Sequence, residues 1–431
     1  MNLKKLEVSN FRSIEHAEIN FAPLSLIVGA NAAGKSNLIN IFRFIKDIIT
    51  EGIDNAIALQ GGTTYLSNVR ASKGEPIKIR FVLDSLDGTS LNYRKNKLYH
   101  SKIKEMDYSF SILPNKKGGN YKIAEDRLII KSTFFKKDSF SKEGVQEEAI
   151  SVDCQLDYHK KNVRSSYKFH TDFGGVKNKE VEDIKYLLDK EDDISKILLA
   201  FVNNNLEKLM LGKITMLFHE IFPNNNFIRI FDFDPKELKK ASPMASIKML
   251  AEDGSNLASI LHEILINKEK KAKLTTLLKH YLPHVEGLSV ESNVDKSFFY
   301  NVNEKYIKKT SFHASFLSDG TVSIIALIIA LYFEEKSKII ILEEPERNIH
   351  PKLLKILLES AEDVSKEKQI IITTHNPEFL KHAKPDDVRL VSRDNDGNTI
   401  VTEPANSVAV RAFMENDLGL DDLFLQDKLG D

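Results

Sequence analysis

The octapeptide GANAAGKS at residues 29–36 has the residue types and spacing to bind phosphate groups. It fits the pattern G-x-x-x-x-G-K-S/T, in which glycines let backbone N–H groups close around phosphate oxygens. Lys35 would reach the β- and γ-phosphates of a nucleotide, and the Ser36 hydroxyl would ligate Mg²⁺. The segment therefore predicts a P-loop with ATP and Mg²⁺ as ligands.

The local context favours this interpretation. The apolar run LSLIV (24–28) predicts a buried strand before the motif, and the apolar residues of NLINIFRFIKDIIT recur at helical spacing after it. A strand, a glycine-rich loop and a helix N-terminus, whose dipole is positive, are the setting that this motif requires. The alternative is an ordinary glycine turn before a helix.

Two acids end a second apolar strand in KIIILEEPERNIHP (338–351). Phosphoryl transfer to water needs a metal that neutralises charge and an oriented water molecule. We assign Glu343 to the metal shell and Glu344 to the water, as the two acids of a Walker B strand. The alternative is a solvated acid pair at a strand end.

A histidine follows a third apolar strand in QIIITTHNPEFL. One predicted helix separates this strand from the Walker B strand, which suffices for a right-handed crossover. His375 should therefore lie beside the acids at the carboxyl edge of a parallel sheet, where such folds bind ligands. Its imidazole could hydrogen-bond the γ-phosphate or the water. His350 could lie at a subunit contact, and the sequence leaves that open.

The segment FLSDGTVSIIAL (316–327) places a serine and a glycine at the start of a predicted helix. Ser318 and Gly320 are suited to contact phosphate there, because a helix N-terminus presents free N–H groups. Serine is also a common helix cap, so the segment alone is a weak signal. Its position shortly before the Walker B strand strengthens it.

Together these motifs resemble the RecF/SMC/OLD branch of ABC ATPases. The resemblance rests on NFRS (10–13), the P-loop with the following Asn37, LSDGT, EEPERNIHP and TTHNPEFL, and it covers about residues 1–85 and 310–431. EDGSNLASIL (252–261) also resembles AAA15/21-type relatives. Many of those are ATPase subunits of anti-phage systems, such as the Septu ATPase PtuA.

This resemblance implies a head-to-tail dimer in which the P-loop of one copy faces the signature segment LSDG of the other, with ATP between them. Residues 346–351 (ERNIHP) match the D-loop of the family, which crosses this interface. Ser318 would then contact the γ-phosphate bound by Lys35 of the second copy. Arg12 would lie near the nucleotide of its own chain, and Gln60 is a candidate Q-loop residue. The remaining nucleotide contacts implied by the motifs are Gly29, Asn31, Gly34, Asn37 and Gly320.

Composition limits the class of protein. The 431 residues carry a formal net charge of -1, and the one cysteine, Cys154, excludes an intramolecular disulfide. With no signal peptide or spanning segment apparent, we expect a cytoplasmic protein and no membrane partner. Residues 94–142 contain 13 Lys/Arg against 5 Asp/Glu. This stretch is either a solvated β-surface or a groove for phosphates, so DNA binding stays open.

The patterns predict an α/β fold: an ABC-type P-loop ATPase head with a mixed sheet, plus an inserted antiparallel β and helical region. The predicted parts are 1–93 (head, with Walker A), 94–180 (basic β insertion), 181–305 (helical insertion), 306–402 (head, with signature and Walker B) and 403–431 (acidic helical tail). Residues 180–222 and 257–282 are predicted to be helical, and individual helices are predicted over 319–334 and 351–365. Predicted strands include 2–9, 17–22, 77–84, 107–113, 127–135, 287–292, 298–303, 338–342, 369–373 and 387–392.

The leading functional hypothesis is an ATPase that controls a separate effector, such as a nuclease, in phage defence. The chain ends soon after His375, where OLD enzymes continue into a nuclease domain, so cutting would need another polypeptide. One alternative is a RecF-like repair ATPase that clamps DNA in an ATP-dependent way. The other is a scaffold that binds ATP and hydrolyses it slowly.

Overall fold

The structure is a computed structural model, and it describes residues 1–71, 74–84, 89–94, 97–115, 120–137, 147–159, 162–170, 209, 211, 227–244, 249–307, 310–408, 410 and 419–426. The chain divides into two compact units. The first comprises Met1–Phe21, Ser36–Asn226 and Arg393–Val401, and the second comprises Ala22–Lys35, Phe227–Ser392 and Thr402–Asp431. Each unit is therefore assembled from segments that are far apart in sequence.

The first unit contains one antiparallel sheet of eight strands. In chain order they are β1 (Asn2–Phe11), β2 (Ile14–Asn20), β4 (Ile77–Asp84), β5 (Thr89–Arg94), β6 (Lys97–Pro114), β7 (Tyr121–Lys137), β8 (Glu147–His159) and β9 (Asn162–His170). The spatial order is β2-β1-β4-β6-β7-β8-β9, with β5 paired to β6. Strands β6 to β9 lie in the predicted β insertion and continue the sheet that β1, β2 and β4 begin.

Alternating residues give this sheet one apolar face. In β4, Ile77, Ile79 and Phe81 are buried, whereas Lys78 between them is exposed, as expected for a strand with one solvated side. Helix α1 (Lys35–Leu59) packs on the apolar face, where the Phe44 ring lies 6.0 Å from Phe11 and 6.5 Å from Phe110. A short helix, α2 (Thr63–Leu66), follows.

The second unit contains five parallel strands of a six-stranded sheet: β3 (Leu24–Val28), β10 (Ile228–Phe231), β15 (Ile339–Glu343), β16 (Gln369–Thr374) and β17 (Val388–Arg393). Their spatial order is β10-β15-β16-β3-β17. All residues of β3, β10 and β16 are buried. Parallel strands covered on both faces need such continuous apolar runs, which explains LSLIV and QIIIT.

The helices of this unit are α3 (Pro235–Leu238), α4 (Leu257–Ile266), α5 (Lys268–Tyr281), α6 (Asp319–Tyr332), α7 (Pro351–Val364) and α8 (Leu420–Leu425). A small antiparallel sheet contains β11 (Ser242–Pro243), β12 (Val285–Ser292), β13 (Ser297–Glu304) and β14 (Ser311–His313). The last strand that the structure describes is β18 (Thr399–Thr402), which is hydrogen-bonded to β17. One apolar core joins Leu26, Leu342 and Ile372 of the parallel sheet to α6.

The predicted α/β class is confirmed. The predicted strands are also confirmed, and α1, α6 and α7 lie where helices were predicted. The helical prediction for 257–282 is confirmed, but the stretch forms two helices. The Asn267 side chain accepts hydrogen bonds from the backbone N–H groups of Glu269 and Lys270, which ends α4 and starts α5. Nearly all of the predicted helical stretch 180–222, and much of the acidic tail, lie outside the described residues. In the described part of the chain, no helix is long and apolar enough to cross a membrane.

Candidate nucleotide-binding site

Lys35 lies near the end of the P-loop that follows β3, and it is the first residue of α1. Its side-chain ammonium donates to the carbonyl oxygens of Gly29 at 2.8 Å and Ala30 at 3.1 Å. The residue is only 6% exposed, and burial lowers the pKa of Lys35 while the charges of Glu344 and Glu346 raise it. The loop therefore holds a buried cation whose partners on its own loop are neutral carbonyl oxygens, and anionic phosphate oxygens would be stronger acceptors.

The P-loop backbone has a conformation that depends on its small residues. Ala32 and Gly34 have positive φ values of 62° and 116°. A side chain at Gly29 would lie 2.2 Å from the carbonyl oxygen of Val391 on β17, so only glycine fits there. Asn31 is exposed at the tip of the loop. The glycine positions in the motif are thus required by sterics as well as by phosphate access.

One of the two acids predicted to form the Walker B site lies next to the P-loop lysine. Glu343 is the last residue of β15, and Glu344 follows it with a φ of 41°. Glu344 Oε1 is 3.8 Å from Lys35 Nζ and 3.4 Å from His375 Nδ1. The structure thus brings together Lys35, Glu344 and His375, which the sequence predicted from three separate motifs.

The second oxygen of the Glu344 carboxylate is held by an arginine. Arg347 Nε donates to Glu344 Oε2 at 3.1 Å, and Arg347 Nη1 donates to Asp232 at 2.8 Å. Burial alone would raise the pKa of Glu344, but Arg347, with His375 and Lys35, holds that pKa below its ordinary value. Glu344 is therefore ionised and oriented by its surroundings.

A third acid supports His375. Glu346 Oε1 accepts a hydrogen bond from Thr374 Oγ1 at 2.5 Å and from the backbone N–H of His375 at 3.4 Å. Burial raises the pKa of Glu346, although the Thr374 hydrogen bond opposes this shift. No motif in the sequence predicted a role for Glu346. Its spacing from Glu344 in EEPE, two residues on, is the signal that could have identified it.

The LSDG segment caps helix α6. Ser318 Oγ accepts from the backbone N–H of Thr321 at 3.2 Å, and Ser318 is exposed. A Cβ atom at Gly320 would lie 2.5 Å from the carbonyl oxygen of Asn348, which itself has a φ of 63°. The start of α6 is therefore in close contact with the segment 346–351, which the resemblance identifies as the D-loop.

His350 is the N-cap residue of α7. Its Nδ1 accepts a hydrogen bond from the backbone N–H of Lys352 at 3.2 Å, and the residue is exposed. This contact explains its position directly before Pro351, since proline suits the first turn of a helix. A role at a subunit contact stays a prediction.

In the first unit, two residues that the sequence singled out separately are in contact. Arg12 Nη2 donates to Gln60 Oε1 at 2.7 Å, and the Arg12 backbone N–H donates to the Leu66 carbonyl at 2.7 Å. Burial lowers the pKa of Arg12. Its Nε is buried without a hydrogen-bond partner among the described residues. Such a group is a natural donor for a ligand oxygen.

Asn37 is joined to the NFRS motif. Its side-chain amide donates to Ser13 Oγ at 2.6 Å, and that hydroxyl lies 2.7 Å from Thr399 Oγ1. Ser36, one residue earlier, is exposed. The first turn of α1 and the turn after β1 are thus linked inside the first unit through Ser13.

Cations of the basic stretch pair with acids on the same sheet. Arg127 Nε donates to Asp157 at 2.7 Å, and Lys131 lies 2.5 Å from Glu105. These cations are therefore paired on the sheet, and whether the stretch binds DNA stays a prediction.

Comparison with known proteins places these motifs in a family. Residues 24–381 match the AAA_21 family, described as "AAA domain, putative AbiEii toxin, Type IV TA system". The sequence matches no curated protein. An SMC head bound to the C-winged helix domain of ScpA is 15% identical, with 93% of this chain and 98% of that chain covered and a TM-score of 0.52. That likeness shows a shared fold.

Two further SMC heads are similar over most of both chains. The head domain from Thermotoga maritima is 13% identical, covers 94% of this chain and 99% of its own, and has a TM-score of 0.43. A head domain derived from Pyrococcus furiosus, with an extended coiled coil and bound to the C-terminal domain of ScpA, is 14% identical, covers 96% and 99%, and has a TM-score of 0.45.

Proposed function

Because the chain belongs to the AAA_21 family and shares the fold of SMC heads, we propose that it hydrolyses ATP at a site which a second copy of the chain completes. One observation carries the proposal. Glu344 Oε1 lies 3.8 Å from Lys35 Nζ and 3.4 Å from His375 Nδ1. These residues follow β15, β3 and β16, which are neighbours in the parallel sheet. Open α/β sheets bind their ligands at this edge.

The P-loop would bind the phosphates of ATP. Lys35 Nζ, which donates to Gly29 and Ala30 in this structure, would donate to oxygens of the β- and γ-phosphates instead. The backbone N–H groups of residues 31–36 and the N-terminus of α1 would supply further donors. These contacts bind the substrate, and they also stabilise the charge that develops on the transferred group.

The oxygen donors that the sequence assigned to the metal fit Mg²⁺. This ion prefers oxygen ligands and keeps several waters, so one hydroxyl and one carboxylate are a sufficient protein contribution. The Ser36 hydroxyl is exposed, and Glu343 is the last residue of its strand. We propose these two residues as its ligands. When bound, Mg²⁺ would neutralise charge on the phosphates.

The ionised Glu344 would hold the attacking water and accept its proton. His375 would hydrogen-bond the γ-phosphate or the water from the neighbouring strand end. The buried Glu346, which accepts from the backbone of His375, would fix the loop that carries this histidine. A water positioned by two such groups is the central requirement of phosphoryl transfer to water.

A second copy would supply the remaining contacts. The exposed Ser318 and the half-buried Gly320 lie at a helix start, which suits the γ-phosphate held by the other copy's Lys35. The family resemblance assigns Arg12, Asn31 and Asn37 to the nucleotide of their own chain. We propose a head-to-tail dimer in which each of its two sites takes the P-loop from one copy and LSDG from the other.

We further propose that ATP-driven pairing controls a separate effector, such as a nuclease, in a Septu-like defence system. The family description, which names a toxin of a toxin–antitoxin system, and the resemblance to anti-phage ATPases support this role. Nuclease activity that appears only when a co-purifying protein is present would support it. Strong, salt-dependent duplex binding by the chain alone would favour a DNA clamp instead.

The test of the proposed activity is phosphate release by purified variants. Lys35→Ala should lose ATP binding, because the loop loses its cation. Glu344→Gln should bind ATP and lose turnover by at least about a hundredfold, the usual contribution of a general base. Lys366→Gln is a control, since Lys366 lies just after α7 and forms an exposed ion pair with Asp363. Wild-type turnover in Glu344→Gln would contradict the assignment of the acid.

A further inference from the structure

Arg347 joins two acids that end neighbouring strands. Its Nε donates to Glu344 Oε2 at 3.1 Å, and its Nη1 donates to Asp232 Oδ1 at 2.8 Å. Asp232 directly follows β10 and Glu344 directly follows β15, which pair in parallel. The two acids are far apart in sequence, and the arginine binds both across the sheet edge.

We propose that Arg347 is a positioning residue for Glu344, and that Asp232 anchors it. This inference rests on the proposed function, in which Glu344 holds the attacking water. With Oε2 held by Arg347, the other oxygen of Glu344 points to the side of the site that contains Lys35 and His375. We call this pair of contacts from Arg347 to Glu344 and Asp232 the arginine clip. Without the clip, the Glu344 carboxylate could rotate about its side-chain bonds.

The backbone conformation at Glu344 explains why its side chain needs the clip. Glu344 has a φ of 41°, outside the regular strand, so the sheet no longer fixes the direction of its side chain. The backbone N–H of Arg347 also donates to the Glu344 carbonyl at 3.1 Å. The same two residues are therefore joined by a turn and by their side chains, and together these contacts hold one rotamer.

An arginine is needed for this geometry. Two different nitrogens of one planar guanidinium contact two carboxylates, whereas a lysine has a single ammonium at the end of a flexible chain. Lysine at position 347 should therefore retain the charge but not the orientation of Glu344. This expectation separates positioning from a simple effect of positive charge.

The alternative is an ordinary surface ion pair, because the Arg347 side chain is 46% exposed. Arg127 is a matched control in the first unit. Its side chain is 43% exposed, and it also contacts two carboxylates, Asp157 at 2.7 Å and Glu125 at 3.3 Å. If both arginines are only surface ion pairs, the Arg347→Gln and Arg127→Gln variants should behave alike.

The experiment compares kcat and ATP affinity in Arg347→Gln, Arg347→Lys, Asp232→Asn and Arg127→Gln. We expect Arg347→Gln to lower kcat at least about tenfold, because a misplaced catalytic group is costly, with ATP affinity unchanged. Arg347→Lys should recover little of this loss. Asp232→Asn should lower kcat less, and adding it to Arg347→Gln should have no further effect. Arg127→Gln should match the wild type.

A second measurement does not depend on activity. Hydrogen–deuterium exchange of the peptide 343–350, without nucleotide, should be faster in Arg347→Gln than in the wild type, and Arg127→Gln should leave it unchanged. Unchanged exchange in Arg347→Gln would overturn the clip. A wild-type or raised kcat in Arg347→Gln would overturn the positioning role. A raised kcat would mean that Arg347 keeps Glu344 away from the attacking water.

These results separate the inference from the function on which it rests. If Glu344→Gln abolishes turnover and Arg347→Gln does not lower it, only the positioning role fails. If Glu344→Gln retains wild-type turnover, the proposed function fails, and the positioning role fails with it. In that case the exchange measurement still decides whether Arg347 holds the loop.

Discussion

The variant Gly320→Ala should show whether LSDG serves the nucleotide of its own chain or that of a second copy. Alanine near a helix start would ordinarily be stabilising relative to glycine. Here its Cβ would lie 2.5 Å from the Asn348 carbonyl oxygen, whereas ordinary contacts begin at 3.4 Å. Either the start of α6 or the D-loop must therefore move by about 0.9 Å. Asn348 can adjust little, because its φ of 63° is already unusual.

The size of this shift sets the expected effects. Overpacking of this kind lowers the free energy of unfolding by about 1–3 kcal/mol, which leaves a folded protein. A displacement near 1 Å in groups that orient a substrate costs roughly a hundredfold in rate. ATP affinity should not change, because Gly320 would serve the nucleotide that the other copy binds.

The decisive assay mixes Gly320→Ala with Glu344→Gln. Each variant alone should be nearly inactive. In a mixed dimer, one site combines both lesions, and the other combines the normal Glu344 of one copy with the normal Gly320 of its partner. Equal mixing makes half of the dimers mixed, so the rate should recover to at most about a quarter of wild type.

No recovery in the mixture, when light scattering shows that the two variants form mixed dimers, would refute the shared site. Lower ATP affinity in Gly320→Ala alone would also contradict it, since the glycine would then serve its own chain. A double variant carrying both substitutions is the control. It should not recover activity when mixed with either single variant.

Light scattering of Glu344→Gln should give the mass of one chain, 49.0 kDa, without Mg-ATP and the mass of two chains with it. A single chain in both conditions would leave LSDG without a nucleotide to contact. Ser318→Arg should retain ATP binding by calorimetry and lose this pairing, and normal pairing would contradict the signature assignment. Because burial raises the pKa of Glu346, its stabilisation is fully present below the ordinary pKa of glutamate and is lost as the pH rises through the folded-state pKa. Glu346→Gln should remove this loss, so its urea midpoint should fall less than that of the wild type between about pH 4 and pH 8; an equal fall in both would contradict it.

The parallel sheet could be predicted from the sequence because its strands are continuous apolar runs. The side chains of LSLIV, KIIIL and QIIIT are apolar on both faces of the strand, so these strands are expected in the centre of a sheet that is covered on both sides. The motif residues follow these strands directly. Once the strands are neighbours, Lys35, Glu344 and His375 must meet at one edge, and their spacing along the chain is enough to predict that meeting.

Other parts of the site depend on contacts that no local pattern encodes. Asp232 follows the short strand IRIF and meets Arg347 from a distant part of the chain. Neither residue belongs to a motif that fixes its partner. The break at Asn267 was missed for a different reason: apolar residues continue at helical spacing on both sides, and only the asparagine side chain shows that a new helix starts.

Strained backbone conformations occur mainly at turns within the motifs that the sequence identified. Among the described residues, six non-glycine positions have positive φ, and five of them lie in motif segments: Asn10, Arg12, Ala32, Glu344 and Asn348. Each such conformation costs about 1–3 kcal/mol and persists only where the surrounding structure enforces it. In each unit, packed strands and specific hydrogen bonds therefore oppose a local preference at these corners. Folding thus sets the direction of Lys35 and Glu344 before any substrate binds, and the free energy stored in these turns need not come from ATP binding.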